Sequence, residues 1–310
     1  MIKVFRFSLA LFACVANLCV LSSVVFLLFF TAQLLRLLSS RRFYEVIVAV
    51  YYDAVCDRLI KLHSRNLRCI LTVVCGVTFH RYFSRALCQD KSYVMVINHR
   101  SHVDILVILA VFYDQIPNVK FFLKRSLLWV PFLGQFCYLM NYVFVRKIKT
   151  NLVRRNPGIV QKQRDLISQQ CRDLVKSPVT LAVFAEGTRY VSEKKLGVKK
   201  IFRNLLAPQP AGIALALEAS SKHISDLLDI TLVYDVGFVS AWLLLSGQVN
   251  DIEIHAQTFD VAESNLVGDY VKDRNYRKYF SEWVRSLWQR KDDLLTQSFL
   301  RLSRRRETYS

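Results

Sequence analysis

Several features are missing from this chain of 310 residues. It has no Cys-x-x-Cys pair, and its six histidines form no cluster at metal-ligand spacing, so no metal site is expected. The cysteines, Cys14, Cys19, Cys56, Cys69, Cys75, Cys88, Cys137 and Cys171, are scattered, and two lie inside an apolar run. Thiols placed in this way act as small hydrophobes rather than as a disulfide framework, which fits a reducing, cytoplasm-facing body. There is no Gly-x-Ser-x-Gly elbow, which excludes the serine nucleophile that such a turn presents. Internal repeats and low-complexity linkers are absent. Acidic residues are few, 24 against 43 Lys and Arg, and the net charge of +19 calls for a polyanion or an anionic surface as partner.

The positive charge is not confined to a tail. It recurs at Arg41 and Arg42, over 146–155, over 194–203 and over 301–306. Nucleic acid and anionic lipid headgroups both present dense phosphate, and the N-terminus separates them. Residues 7–38 are almost unbroken apolar sequence, with only Asn17, Gln33 and Arg36 strongly polar. That exceeds the ~20 residues a spanning helix needs and the ~7 to 15 of a cleaved signal, so a retained anchor is expected. Lys3 and Arg6 precede the run while Arg36, Arg41 and Arg42 follow it. Charge therefore does not orient a single span, and a hairpin returning to its starting side reconciles both flanks. The aromatics are not interleaved with the basic runs as a base-stacking platform requires, so nucleic acid is not expected as a partner.

Four regions follow from the pattern: a membrane anchor over 1–42, an amphipathic helical region over 43–80, a catalytic body over 81–260, and a C-terminal amphipathic helix with a basic tail over 261–310. Within the second, residues 44–60 suit either a helix on the bilayer surface or one facing a core. SYVMVIN (92–98) reads as a buried strand, followed by an apolar helix over 103–113. Further strands are expected over 142–145, 179–184, 229–234 and 252–256, with helices over 161–175 and 275–300. The last helix places Tyr276, Phe280, Trp283, Leu287 and Leu294 on one face with Arg and Lys opposite. Alternating strands and helices imply an α/β fold with a mixed, mostly parallel sheet flanked by helices.

In NHRSHVD (98–104) a strand end delivers His99, and Asp104 opens the next helix. The carboxyl ends of strands are where such sheets bind ligands. An imidazole can take a proton from an alcohol near neutral pH, and a carboxylate can fix its tautomer. The same residues also fit a helix cap, because Ser101 and Asp104 stand at capping-box spacing, and His102 is a competing base. A second strand ends in FAEGTR (184–189), a glycine turn bearing a carboxylate, a hydroxyl and a guanidinium suited to phosphate oxygens.

Together these segments resemble the glycerolipid acyltransferase family of the lysophosphatidic acid acyltransferase type, whose signatures are NHxSxxD and FPEGTR. KRSLLWVPFLG (124–134) with Phe144, Val145 and Arg146 looks like the family's second block, and LLAPQPAG (205–212) with DITLVY (229–234) is similar to its fourth. The layout looks most like the bacterial inner-membrane branch related to lysocardiolipin acyltransferases. Two residues depart from the pattern: Ala185 stands where proline is usual, and Gln209 where that branch carries a basic residue.

The resemblance implies direct transfer of an acyl chain from a coenzyme A or acyl-carrier thioester to the sn-2 hydroxyl of lysophosphatidate, with no resident cofactor. It selects His99 over His102 as the base and Asp104 as its partner. It assigns Glu186, Gly187, Thr188 and Arg189 to the acceptor site, with Arg189 on the phosphate and Lys124 and Arg146 as further phosphate ligands. The expected partners are the lysophospholipid, the acyl donor and an anionic membrane surface, and the expected location is a bacterial inner membrane with the body facing the cytoplasm. Remodelling of a larger lysophospholipid, such as lysophosphatidylglycerol or lysocardiolipin, uses the same chemistry. A basic membrane-anchored scaffold is the reading from another class, and it predicts indifference to loss of His99 or Asp104.

Overall fold

The structure, a computed structural model, describes residues 1–38, 53–146, 158–175, 177–189 and 201–309. The basic residues Arg41 and Arg42, most of the basic runs over 146–155 and 194–203, and the start of the helix expected over 44–60 lie outside them.

Seven strands form one sheet: β1 (Thr78–Phe83), β2 (Ser92–Ile97), β3 (Val119–Lys124), β4 (Val143–Val145), β5 (Thr180–Phe184), β6 (Ile224–Tyr234) and β7 (Asp251–Asp260), in spatial order β1-β7-β6-β2-β5-β3-β4. All neighbours are parallel except β6 and β7, which pair antiparallel. The central β2 is buried throughout, and its side chains alternate between two cores. Tyr93, Met95 and Ile97 enter one, and Val94 and Val96 enter the other, as the two-residue period of a strand requires.

Helices cover both faces. The first core lies under α1 (Ile2–Leu38), α2 (Asp53–Cys69) with its terminal π turn, α3 (Asp104–Phe112), α4 (Leu133–Leu139) and, later in the chain, α7 (Ala241–Leu245). The second is closed by α5 (Gly158–Leu174), α6 (Pro210–Ser220) and α8 (Arg274–Tyr309). This is the expected three-layer α/β architecture.

Several boundaries differ from expectation. β1 and β3 were not anticipated. β1, with the sequence TFHRYF, sits at the sheet edge with exposed Arg81 and Tyr82, and so lacks the apolar alternation of a half-buried strand. Because β1 pairs with β7, the catalytic sheet starts within the region assigned to 43–80. β6 and β7 are both longer than expected, since their antiparallel ladder runs from Asp226 and Asp260 to Tyr234 and Ile252.

Of the two forms open for the anchor, a helix or a hairpin, the described part of the apolar run is one continuous helix, Ile2–Leu38. It is α2 that returns alongside it: Asn17 donates to the His63 carbonyl at 3.0 Å and accepts from Asn66 at 3.3 Å. By length and composition Ile2–Leu34 suffices to cross a membrane. One stripe of α1, including Ala10, Leu21 and Val25, packs into the first core, while Phe12, Val20, Leu27 and Phe30 stay exposed.

α8 is a core element rather than an appended tail. Phe280, Val284, Leu287, Trp288 and Leu295 are fully buried against β6 and α6, each contributing about 1.5 to 3 kcal/mol by area burial. Its inner face is rotated from the expected one: Leu294 is only half-buried, and Lys291, expected among the outward basic residues, is turned inward against Asp229 at 2.6 Å.

Candidate active site

Strands β2, β5, β3 and β4 are parallel neighbours, so their carboxyl ends open on one edge of the sheet. β2 delivers His99 there, β5 the FAEGTR turn, β3 Lys124 and β4 Arg146.

The motif begins with a stitch. Beyond Ile97, which pairs with Ile230, the Asn98 side chain takes over from the backbone: its amide donates to the Leu232 carbonyl at 3.1 Å and its oxygen accepts from the Leu232 N–H at 2.8 Å. A primary amide offers the same donor and acceptor as a peptide group, so the ladder to β6 gains one more rung while the main chain turns away with His99.

Asp104 is fully buried, and its carboxylate accepts four hydrogen bonds. One oxygen accepts from the backbone N–H of Arg100 at 2.7 Å, the backbone N–H of Ser101 at 2.9 Å and His99 Nδ1 at 3.0 Å. The other accepts from the Tyr234 hydroxyl at 2.7 Å. An oxygen that already takes two backbone N–H groups acts as an acceptor, so the imidazole presents its proton at Nδ1 and keeps Nε2 free as a base. The helix begins after Val103 with no side-chain cap, so the contact from Asp104 to the Ser101 N–H serves the turn that holds His99 rather than a capping box.

The imidazole is also held by packing. It stacks on Phe184 with ring centroids 4.2 Å apart, and Phe184 stacks on Phe121 at 5.7 Å. Its backbone is braced by Glu186, whose two oxygens accept from the His99 N–H at 2.9 Å and the Leu206 N–H at 3.1 Å. Glu186 is buried, which pushes its carboxyl up to about 7 despite those two hydrogen bonds. The carboxylate assigned to the acceptor site is therefore committed to bracing the catalytic turn. Gly187 has φ +64, while an added Cβ would meet only Gln209, at an ordinary 3.6 Å. Glycine is needed there for the left-handed backbone.

Thr188, Arg189, Lys124 and His102 are exposed at the mouth. Partial burial, then the charges of Arg189, His99 and Lys124, hold His102 below the usual histidine range, which places these groups around one opening. Arg146 follows Val145, the pairing partner of Lys124, and lines a groove between β4 and α5.

Three contributors were not anticipated: Tyr234, Phe184 as a ring support, and Arg100. Tyr234 closes the DITLVY segment, its only sequence signal. The Arg100 guanidinium donates to the carbonyls of Asn204 at 2.7 Å and Gly237 at 2.8 Å and lies over the Phe299 ring. Asn204 is in turn held by α8, through its N–H to Asp292 at 2.6 Å and its amide to Thr296 at 2.8 Å.

An imidazole oriented by a buried carboxylate at the carboxyl edge of an α/β sheet, with cations at its mouth, is an arrangement able to deprotonate a hydroxyl close to an anionic group. The chain belongs to the acyltransferase family, whose model matches residues 77–233, just over half of its length. It is 27% identical over 222 residues to a probable 1-acyl-sn-glycerol-3-phosphate acyltransferase 5 of Arabidopsis thaliana, covering 67% of this chain and 53% of that protein. It is 26% identical over 303 residues to the 2-acyl-1-lysophosphatidylinositol acyltransferase of Saccharomyces cerevisiae, covering 83% of this chain and 73% of that one. The chain thus spans about half the length of the plant relative. The solved structure of the 1-acyl-sn-glycerophosphate (LPA) acyltransferase PlsC from Thermotoga maritima aligns with TM-score 0.45 and 15% identity over 81% of this chain and 92% of that one. Membership of a bacterial branch is not shown by these relatives.

Proposed function

We propose that this chain transfers a fatty acyl group from an acyl thioester to the sn-2 hydroxyl of lysophosphatidate, giving phosphatidate. The observation that carries the reading is the His99 imidazole, held at Nδ1 by Asp104, with the neighbouring His102 under the charges of Arg189 and Lys124. His99 Nε2 takes the hydroxyl proton as the oxygen attacks the thioester carbon. The tetrahedral adduct collapses, the C–S bond breaks, and the imidazolium returns the proton to the departing thiolate. Asp104 stabilises the transient imidazolium, and base help of this kind is typically worth ~10² to 10⁴ in rate. Arg189 and Lys124 suit the acceptor's phosphate, Arg189 through its planar fork and Lys124 as a point charge.

The exposed apolar stripe of α1 and the excess of basic residues support attachment to an anionic membrane, where both lipid reactants reside. A second reading, an acceptor with a larger headgroup, is favoured by the extent of the match to the yeast lysophosphatidylinositol enzyme and by Gln209 in place of a basic residue.

The test gives membranes carrying the full chain a labelled acyl-coenzyme A and a panel of lysolipids: lysophosphatidate, lysophosphatidylglycerol, lysophosphatidylinositol and lysocardiolipin. Preference for lysophosphatidate is expected, and a stronger signal from any diester acceptor selects the second reading. Wild-type rates in purified His99→Ala would defeat the base mechanism, and no transfer to any lysolipid by the wild-type chain would leave the scaffold reading standing.

A further inference from the structure

The turn between β2 and α3 spends nearly all of its side chains inward. Asn98, Arg100, Ser101, Val103 and Asp104 are buried and His99 is partly so, while His102 is exposed. The backbone that presents His102 is pinned, because Asp104 accepts from the N–H groups of Arg100 and Ser101 and the Arg100 guanidinium is tied to the carbonyls of Asn204 and Gly237. No hydrogen bond within the described residues bears on the His102 ring. An exposed histidine in a turn is ordinarily only a solvated one, and its surroundings are what set this one apart. β2, β5 and β3 are successive parallel strands, so the segments leaving them open side by side: His102 after β2, Arg189 after β5 and Lys124 at the end of β3. Both cations are exposed there. Partial burial and the charges of Arg189, His99 and Lys124 hold His102 below the usual histidine range, against the opposite pull of Asp104. The empty site therefore keeps this ring neutral at neutral pH.

We propose that His102 is a specificity residue of the acceptor site, a ligand beside Arg189 and Lys124 for a phosphate monoester, which it selects over a phosphodiester. The inference rests on the acyl-transfer reading proposed above and names the class of acceptor. A phosphate monoester carries ~1.5 to 2 negative charges near neutral pH, whereas a diester carries a single one. Two fixed cations already exceed the charge of a diester, so a further positive group gains nothing from it. A doubly charged phosphate leaves room for another charge-assisted hydrogen bond. Histidine suits that place because it can be neutral in the empty site, adding no repulsion to Arg189 and Lys124, and take a proton from solvent when the phosphate arrives. His99 is spared this titration, since Asp104 holds its Nδ1. The two imidazoles of the motif thereby divide the work: His99 faces the reacting hydroxyl, and His102 reads the charge of the headgroup.

The test compares the purified full chain with His102→Gln and His102→Lys, reading kcat and KM for lysophosphatidate and lysophosphatidylglycerol across neutral pH. Protonated His102 favours the ligand, so its contribution is complete below its pKa in the empty site and is lost as pH rises through its pKa in the complex. His102→Gln should therefore raise the KM for lysophosphatidate about tenfold near pH ~6, the loss of one charge-assisted hydrogen bond, and match wild type by about pH 9. Its KM for lysophosphatidylglycerol, and kcat with both acceptors, should stay within about twofold. His102→Lys, a permanent cation, should keep the low KM across the whole range. Comparing enzymes at each pH cancels the ionisation of the phosphate itself. A fall in kcat with KM unchanged would put His102 in proton transfer, and equal shifts for the two acceptors would make it a general surface charge; either result overturns the proposal. Calorimetry with a soluble short-chain lysophosphatidate, in two buffers of unlike ionisation heat, counts protons without turnover. Wild type should take up more than His102→Gln, and equal uptake overturns the proposal as well. That difference in uptake without acyl transfer to any lysolipid would defeat the function proposed above and leave the role of His102 standing, whereas transfer to lysophosphatidate with identical KM in both proteins defeats the role alone.

Discussion

The Tyr234 hydroxyl donates a 2.7 Å hydrogen bond to the Asp104 oxygen that His99 does not use. Tyr234 ends β6 and Asp104 begins α3, so the base is oriented by two elements that meet only in the folded sheet. Burial, reinforced by the neighbouring carboxylate, keeps the phenol well above its ordinary pKa, so it remains a donor at any working pH. In Tyr234→Phe one oxygen of a buried carboxylate loses its partner, at a cost of about 1 to 3 kcal/mol. We expect kcat to fall roughly tenfold with the acceptor KM little changed. A change confined to KM would show that Tyr234 does not act through Asp104.

Asp104→Asn should be more damaging. The side chain receives four donors, and an amide must point its own N–H groups at some of them. The imidazole loses the acceptor that fixes its tautomer, and turnover is expected to fall about 10² to 10⁴-fold. Single-turnover assays on folded protein, checked by circular dichroism, measure this, and a loss smaller than tenfold would argue against the assigned pair.

Glu186 makes stability depend on pH. Burial places its folded pKa at about 7 against an ordinary 4.5. Between those values the folded state holds a proton that the unfolded chain releases, so stability is greatest below the lower value, falls as pH rises through the interval, and is flat above it. The gap corresponds to about 3 kcal/mol. Glu186→Gln removes this contribution, and urea midpoints of the two proteins should diverge across the interval. A difference independent of pH would place the carboxyl at its ordinary value.

The buried pair of Lys291 and Asp229 predicts a strong single-site effect. Burial lowers the Lys291 pKa and raises that of Asp229, each partly offset by its partner. Lys291→Met strands a carboxylate in the second core and should cost about 3 to 5 kcal/mol, with Lys291→Met/Asp229→Leu recovering most of it. Thermal melts of the two single variants and the double variant complete the cycle.

Residues adjacent in sequence are the readable ones. NHRSHVD and FAEGTR each lie at a strand end, and a strand end followed by a polar turn is a local pattern, so both segments stand out, although the choice of His99 over His102 and of a base over a helix cap comes from the family resemblance. The apolar α1 and the alternation of β2 are legible for the same reason. Tyr234, Phe184 and the Arg100, Asn204 and Asp292 chain are not, because each acts on a partner far along the sequence. Lys291 shows the limit of periodicity. Helical spacing puts it on the same face as Leu287, but a lysine there has no partner in its local sequence, and β6 sets Asp229 opposite it. Glu186 is legible as a site residue but not in its role, since only burial distinguishes a carboxylate that meets substrate from one that braces a turn.

The link from α8 to the catalytic turn also bears on the order in which the enzyme is made. Asp292 and Thr296 follow all seven described strands in sequence, yet through Asn204 they fix the arginine beside His99. As the polypeptide leaves the ribosome, every group of the acid and base machinery emerges before the helix that locks its geometry. The nascent chain therefore carries its proposed reactive residues before it carries the helix that steadies them.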